Sequence, residues 1–295
     1  MNGTMFLNPS SGAKLSDEEL RTLESAARSE GLEVVRVAAG VDILETIRRR
    51  LSEGRRLFVA AGGDGTVNHV LQPLVQTEAH LGVIPVGTYN HFAKDVGIPL
   101  DWRAALDVAL NGSSRQIDVA RVNDRFFVNN VSIGLYPELV ARREELGRDY
   151  PRWKARLYAI YATLRKYPHV TVAVETEHHR EVIRSHVLLV SNNSYDLSRM
   201  GIETSRESLS SGRLAVYWAP HLPRLALLRY AARYLAGQMT AAAGFRSMQT
   251  THLQLQSSRK RIRIGVDGEL FTMTMPLTIA TVPSSLLVRV PRVSE

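Results

Sequence analysis

Short apolar runs alternate with helix-period stretches through the first 120 residues, and this alternation restricts the fold more than any other feature. "TMFLNP", "LEVVRVA", "RLFVAAG" and "LGVIPVG" read as strands. "SDEELRTLESAARSEG", "VDILETIRRRLSEG" and "TVNHVLQPLVQ" lie between them and read as helices, followed by "HFAKDVG" and "DWRAALDVALNG". Ser16 is placed to cap the first helix, with Glu19 three residues on and Gly31 as its stop. Alternation of this kind buries helices against a mostly parallel sheet, so the N-terminal part is expected to be a Rossmann-like α/β domain.

The pattern changes near residue 115. "RQIDVARVNDRFFVNNVSIG" reads as a hairpin with Asn123 and Asp124 at its turn. The runs "HVTVAVETE", "REVIRSHVLLVSNN", "RLAVYWAP", "THLQLQ" and "KRIRIGVDGE" are also strand-like, which gives a β-rich antiparallel C-terminal domain. The expected domains are 1–122 and 123–277, with the C-terminal strands 278–295 as candidates to rejoin the first.

The chain has 295 residues, 44% of them hydrophobic, enough to bury a sizeable core. Lysine and arginine outnumber acids 37 to 29, a net charge of +8 that favours anionic partners. Aromatics are only 7% and do not interleave with the basic residues, which argues against a single-stranded nucleic-acid binder. No cysteine is present, so thiolate catalysis and disulfides are excluded. No apolar run approaches about 18 residues and no signal peptide is evident, so a cytoplasmic protein is expected. Two basic amphipathic stretches, "PRWKARLYAIYATLRKYP" and "HLPRLALLRYAARYLAG", suit either a membrane-surface contact or ordinary half-buried helices.

"GGDGT", residues 62–66, sits where a strand ends and a helix begins. Ligands of open α/β sheets bind beyond the carboxyl ends of strands. A helix N-terminus offers N–H groups and partial positive charge to phosphate, and glycine lets the backbone come close. No Gly-Lys-Ser/Thr follows, so this is not a Walker A loop. Asp64 would repel phosphate unless it orients a group or a divalent cation lies between them, which points to Mg²⁺ with a nucleotide and to Asp64 as a metal contact.

"GGDGT" resembles the nucleotide loop shared by diacylglycerol kinases, sphingosine kinases, NAD kinases and phosphofructokinases. Three more stretches, in family order, make the chain similar to the diacylglycerol kinase catalytic family in its soluble bacterial branch: "LNPSSGAK", "IPVGTYNHFAKDVGIP" and "VDGEL". The resemblance implies an ATP-binding α/β domain, a β-sandwich domain and a cleft between them. It implies that Gly62, Gly63, Asp64, Gly65, Thr66 and Asn68 line the ATP phosphates, with Gly87, Thr88 and Asn90 in the second loop. Asn8, Ser11, Gly12 and Lys14 would close the phosphate site. Asp267 is the candidate general base, since phosphorylating an alcohol requires a proton acceptor. Glu269, two residues on, is a candidate to bind metal or orient the base; an extended chain would put both on one face, and Gly268 makes a turn equally plausible.

The implied activity is an ATP- and Mg²⁺-dependent lipid kinase, diacylglycerol by default, acting on a lipid alcohol from the inner membrane face. Sphingosine, ceramide, phosphatidylglycerol or a polyprenol stay open as acceptors. NAD phosphorylation and a nucleotide-binding regulator without turnover are the rival functions. Two departures stand out. His91 occupies a position where the family often has aspartate, and "SLSSGRL" puts Ser210 and Ser211 where relatives carry acids for a structural magnesium. That magnesium site is therefore expected to be absent or weak. His178 and His179 would point to opposite faces of a strand and form no metal pair.

Overall fold

The computed structural model describes residues 3–11, 15–38, 41–146, 169–177, 179–192, 210–219 and 246–292, together with residues 154, 158, 161 and 162. Two compact units emerge, one comprising 1–119 and 282–295, the other 120–281.

The first unit begins β1 (Gly3–Leu7), α1 (Asp17–Ser29), β2 (Leu32–Arg36), α2 (Ile43–Ser52), β3 (Leu57–Gly62), α3 (Asp64–Leu71) and β4 (His80–Pro85). It continues with α4 (His91–Asp95), α5 (Trp102–Asn111) and the start of β5 (Ser113–Val122). The strands run parallel in the order β2-β1-β3-β4. β1 and β3 are buried along their whole length, as expected when helices cover both faces of a parallel sheet. Met5, Phe6 and Phe58 fill the sheet core, and α3 and α5 bring Val67, Val70, Leu71, Ala105 and Ala109 against it. The cap foreseen for α1 is present: Ser16 Oγ accepts from the Glu19 N–H, and the Glu19 carboxylate accepts from the Ser16 N–H. Hydrogen bonds with Ser16 hold the Glu19 carboxyl below its ordinary pKa.

The second unit contains β6 (Arg125–Phe127), β7 (Asn130–Gly134), α6 (Leu135–Leu146), β8 (Val170–Thr176), β9 (Arg180–Ser185), β10 (Val187–Ser191) and β11 (Leu214–Trp218). β12 (Arg246–Thr250), β13 (His252–Gln256), β14 (Arg261–Val266), β15 (Glu269–Thr274) and β16 (Leu277–Val290) follow. One of its sheets carries β13 between the start of β16 and β8, with β9 outermost; the other runs β12-β11-β10-β7-β14-β15. All its described pairings are antiparallel. Val172, Val174, Leu253 and Leu255 of one sheet and Val131, Ile133, Val190 and Ile264 of the other share one apolar core, a sandwich. The C-terminal half of β16 lies in the first unit, where Leu287 and Val288 pair in parallel with His80 and Leu81.

"REVIRSHVLLVSNN" reads as one run but forms two strands in different sheets. The break falls at buried His186, beside Ser185, whose hydroxyl donates to the carbonyls of Val187 and Ala219.

Candidate functional site

β3 ends at Gly62 and α3 starts at Asp64, with Gly63 as an extended N-cap that has no side-chain cap bond. The first turn of α3, with its N–H groups and positive dipole end, thus lies at the carboxyl end of a central parallel strand. Gly62 must be glycine, because a Cβ there would meet Thr66 Cβ at 2.5 Å and Cγ2 at 2.8 Å. The Thr66 hydroxyl accepts from Asn8 Nδ2 at 3.0 Å and lies 3.2 Å from Ser11 Oγ. Asn8 N–H donates to the Ala61 carbonyl at 2.9 Å, so the ends of β1 and β3 are laced together.

The second loop, Gly87 to Asn90, follows β4 and packs backbone to backbone on the first. A Cβ on Gly87 would overlap Gly63 Cα and meet Gly63 N at 3.0 Å. Asn90 is left-handed (φ 52°) and 2% exposed. Its Nδ2 donates to the carbonyls of Pro85 (3.2 Å) and Gly87 (3.0 Å), and its Oδ1 accepts from the Gly87 N–H at 3.0 Å. Thr88 and Tyr89 are exposed above this clamp, and the Tyr89 ring stacks on His91 at a centroid distance of 5.6 Å. Asn68 is also turned inward, 1% exposed, with its side-chain oxygen accepting from Gln72 Nε2 at 3.1 Å.

Asp64 joins the loops. Its Oδ2 accepts from the His91 N–H at 3.2 Å and its Oδ1 from the Phe92 N–H at 3.1 Å, which caps α4. Each oxygen has further lone-pair capacity. Gly12 and Lys14 lie outside the described residues, as do His178 and most of both basic amphipathic stretches. Ser210 and Ser211 are described, and among the described residues no three histidine or acidic side chains gather to hold a metal.

In the second unit, Asp267 and Gly268 form the two-residue turn between β14 and β15, both with positive φ (47° and 89°). The extended reading of "DGE" is thereby set aside, because an Asp-Gly pair readily takes the positive-φ conformations of a tight hairpin turn, which match the strands' right-handed twist. Asp267 is 8% exposed. Its Oδ2 accepts from the Val128 N–H at 3.0 Å, and its Oδ1 from the N–H groups of Asn129 (2.9 Å) and Asn130 (3.0 Å). The carboxylate therefore anchors the entry to β7. Glu269 is the more open acid, its side chain 34% exposed and 3.5 Å from Arg125. Sequence reasoning missed Arg125, whose guanidinium lies 4.0 Å over the Phe271 ring. Burial lowers the Arg125 pKa, with the Glu269 and Asp267 charges acting the other way. Arg263 faces Glu138 of α6 at 3.4 Å.

A side chain at Gly62 would overlap Thr66 and one at Gly87 would overlap Gly63, so packing of the two loops requires glycine at both positions. The acid supply suits Mg²⁺ only in the form typical of nucleotide sites, with one or two carboxylates and the phosphates themselves as ligands. Asp64 is the acid on this loop, and its carboxylate already accepts from two backbone N–H groups.

Residues 2–122 match the model of the diacylglycerol kinase catalytic domain. Diacylglycerol kinases of Staphylococcus aureus strains JH9 and Newman are each 37% identical over 130 residues, covering 42% of this chain. The match spans 41% of the length of those relatives. A diacylglycerol kinase structure from Bacillus anthracis str. Sterne superposes with a TM-score of 0.70 at 18% identity, over 98% of this chain and 96% of that one. A second chain from that organism gives 0.74 at 19% identity, over 98% and 97%. The sequence likeness is thus to the catalytic domain over residues 2–122, while the fold likeness takes in both units.

Proposed function

We propose that this chain, whose residues 2–122 carry the diacylglycerol kinase catalytic-domain sequence, is a lipid kinase that transfers the γ-phosphate of Mg-ATP to a lipid hydroxyl, diacylglycerol by default. The observation that carries the reading is the Gly62–Thr66 turn, closed from behind by Gly87 and tied to the second loop through Asp64.

Phosphoryl transfer leaves a protein mostly positioning and electrostatic work. Bound Mg-ATP would supply the reactive phosphoryl group and neutralise its developing charge. With Mg-ATP bound, the α3 N-terminus and Gly63, Gly65, Thr66 and Thr88 would hold the phosphates, and the Asp64 carboxylate would hold the cation. Asn8 and Ser11 fix the Thr66 hydroxyl, while Asn68 and Asn90 support the loops from beneath. On the acceptor side, Glu269 takes the hydroxyl proton as the oxygen attacks. Asp267 is assigned a holding role, since three backbone N–H groups already occupy its oxygens.

Among the described residues no helix is long and apolar enough to cross a membrane. The net charge of +8 supports contact with an anionic membrane surface, where the lipid acceptor resides. Transfer of labelled phosphate from Mg-ATP to dioleoylglycerol in mixed micelles, abolished in Glu269→Gln, tests the reading. Transfer to NAD in its place would overturn it.

A further inference from the structure

One short segment, Asn123 to Asn130, serves the whole Asp-Gly-Glu turn. At its start, Asn123 donates its N–H to the Thr278 carbonyl at 2.8 Å and accepts the Thr278 N–H on Oδ1 at 2.9 Å, which pins the hairpin tip. At its end, Val128, Asn129 and Asn130 give their N–H groups to Asp267, and Asn130 accepts the Asp267 N–H at 2.9 Å. Between these fixed ends, Arg125 reaches Glu269.

Glu269 and Phe271 stand two residues apart on β15 and so project from one face. Arg125 engages both, with Nη2 3.5 Å from Glu269 Oε2 and the guanidinium carbon 4.0 Å from the Phe271 ring centroid. A planar cation seated on an aromatic face loses little freedom when it also meets a carboxylate. Only 23% of the Arg125 side chain is exposed, so solvent screens this pair less than an open surface pair.

We propose that Arg125 is a positioning residue that sets the place of the Glu269 carboxylate, with Phe271 as the seat that holds the guanidinium. This rests on the lipid-kinase reading in which Glu269 accepts the proton. The two-residue Asp267–Gly268 turn fixes the Cα of Glu269, but its side chain has three further torsions, and proton transfer requires hydrogen-bond reach of the acceptor hydroxyl. Arg125 removes that freedom. A lysine would retain the charge but not the flat stacking surface.

The test compares wild type, Arg125→Ala, Arg125→Gln, Arg125→Lys, Phe271→Leu and Glu269→Gln in phosphate transfer from Mg-ATP to dioleoylglycerol micelles. Arg125→Ala and Arg125→Gln are expected to lower kcat at least tenfold, with KM for ATP within twofold of wild type. Arg125→Lys should recover part of the loss, Phe271→Leu should fall between, and millimolar guanidinium should partly restore Arg125→Ala. Wild-type kcat in Arg125→Gln alongside an inactive Glu269→Gln would overturn the proposal and leave the role of Glu269 intact. Wild-type kcat in both would overturn the two together. Equal losses in the alanine and lysine variants, with lowered melting temperatures and no guanidinium effect, would make Arg125 a packing residue and also overturn it. Crystal structures give a reading that needs no turnover: the Glu269 carboxylate should leave its wild-type position in Arg125→Gln, and an unmoved carboxylate contradicts the proposal.

Discussion

Gly87 and Gly63 touch through their backbones, so that a Cβ on Gly87 would fall inside the Gly63 Cα and lie 2.8 Å from Asn90 Oδ1. Two loops separated in sequence by α3 and β4 are thereby held as one surface. Neither loop can take a side chain at this contact without moving the other.

Gly87→Ala is accordingly expected to cost about 1–3 kcal/mol, the usual range for forcing atoms into a packed site. ATP affinity should fall at least tenfold. Chemical denaturation and calorimetric titration with ATP check both, and unchanged ATP binding would separate the loop contact from the nucleotide site.

Asp64 is expected to show a split effect. Asp64→Asn keeps one acceptor but turns an NH₂ group toward the N–H of His91 or Phe92, which should cost about 0.5–2 kcal/mol, as for a lost helix cap. Mg-ATP binding should weaken more than binding of metal-free ATP. Titrations with and without Mg²⁺ measure the difference.

The two acids of the Asp-Gly-Glu turn should part company. Asp267→Asn faces backbone donors with a donor and should lose about 1–3 kcal/mol of stability. Glu269→Gln should change stability by no more than about 1 kcal/mol, since it gives up a partly exposed ion pair. Its kcat should fall by about 10²–10⁴, the size of a lost general base. Urea melts and steady-state rates on the same samples decide the assignment.

His80 predicts a pH effect remote from the site. Burial, with the Arg289 charge nearby, lowers its pKa below the ordinary histidine value. The unfolded chain therefore takes up a proton near pH 6.5 that the folded chain refuses until lower pH. The stability tied to His80 is complete above about pH 6.5 and drains away as pH falls from there toward the folded value. His80→Gln should reduce the difference in melting temperature between pH 7.5 and 5.5, and an unchanged difference would place the effect elsewhere.

The β1 to α5 sequence announced itself because strand and helix periods alternate cleanly and Ser16 with Glu19 spells a capping box. The Asn123–Asp124 turn was readable for a similar reason, and the structure pairs Val122 with Arg125 across it. β12 was not readable as a strand, since the edge segment "RSMQT" has a single apolar residue and no alternation. The sheet change at His186 has no local signal either, because only His186 separates β9 from β10 and tertiary pairing alone assigns them to different sheets. Motif reading marked Asp64, Asn68 and Asn90 as ligand contacts and Asp267 as the general base. Their hydrogen bonds show that such residues also build the frame, a distinction that spacing cannot make. Arg125 carried no motif and became visible only when β6 and β15 met.

The most direct measurement is transfer of the γ-phosphate of Mg-ATP by the purified chain to dioleoylglycerol, sphingosine, ceramide and phosphatidylglycerol in mixed micelles and to NAD in solution, beside Glu269→Gln. The account predicts a phosphorylated lipid product, diacylglycerol first, that disappears in the variant. Phosphorylation of NAD alone, or ATP binding with no transfer to any acceptor, would contradict it.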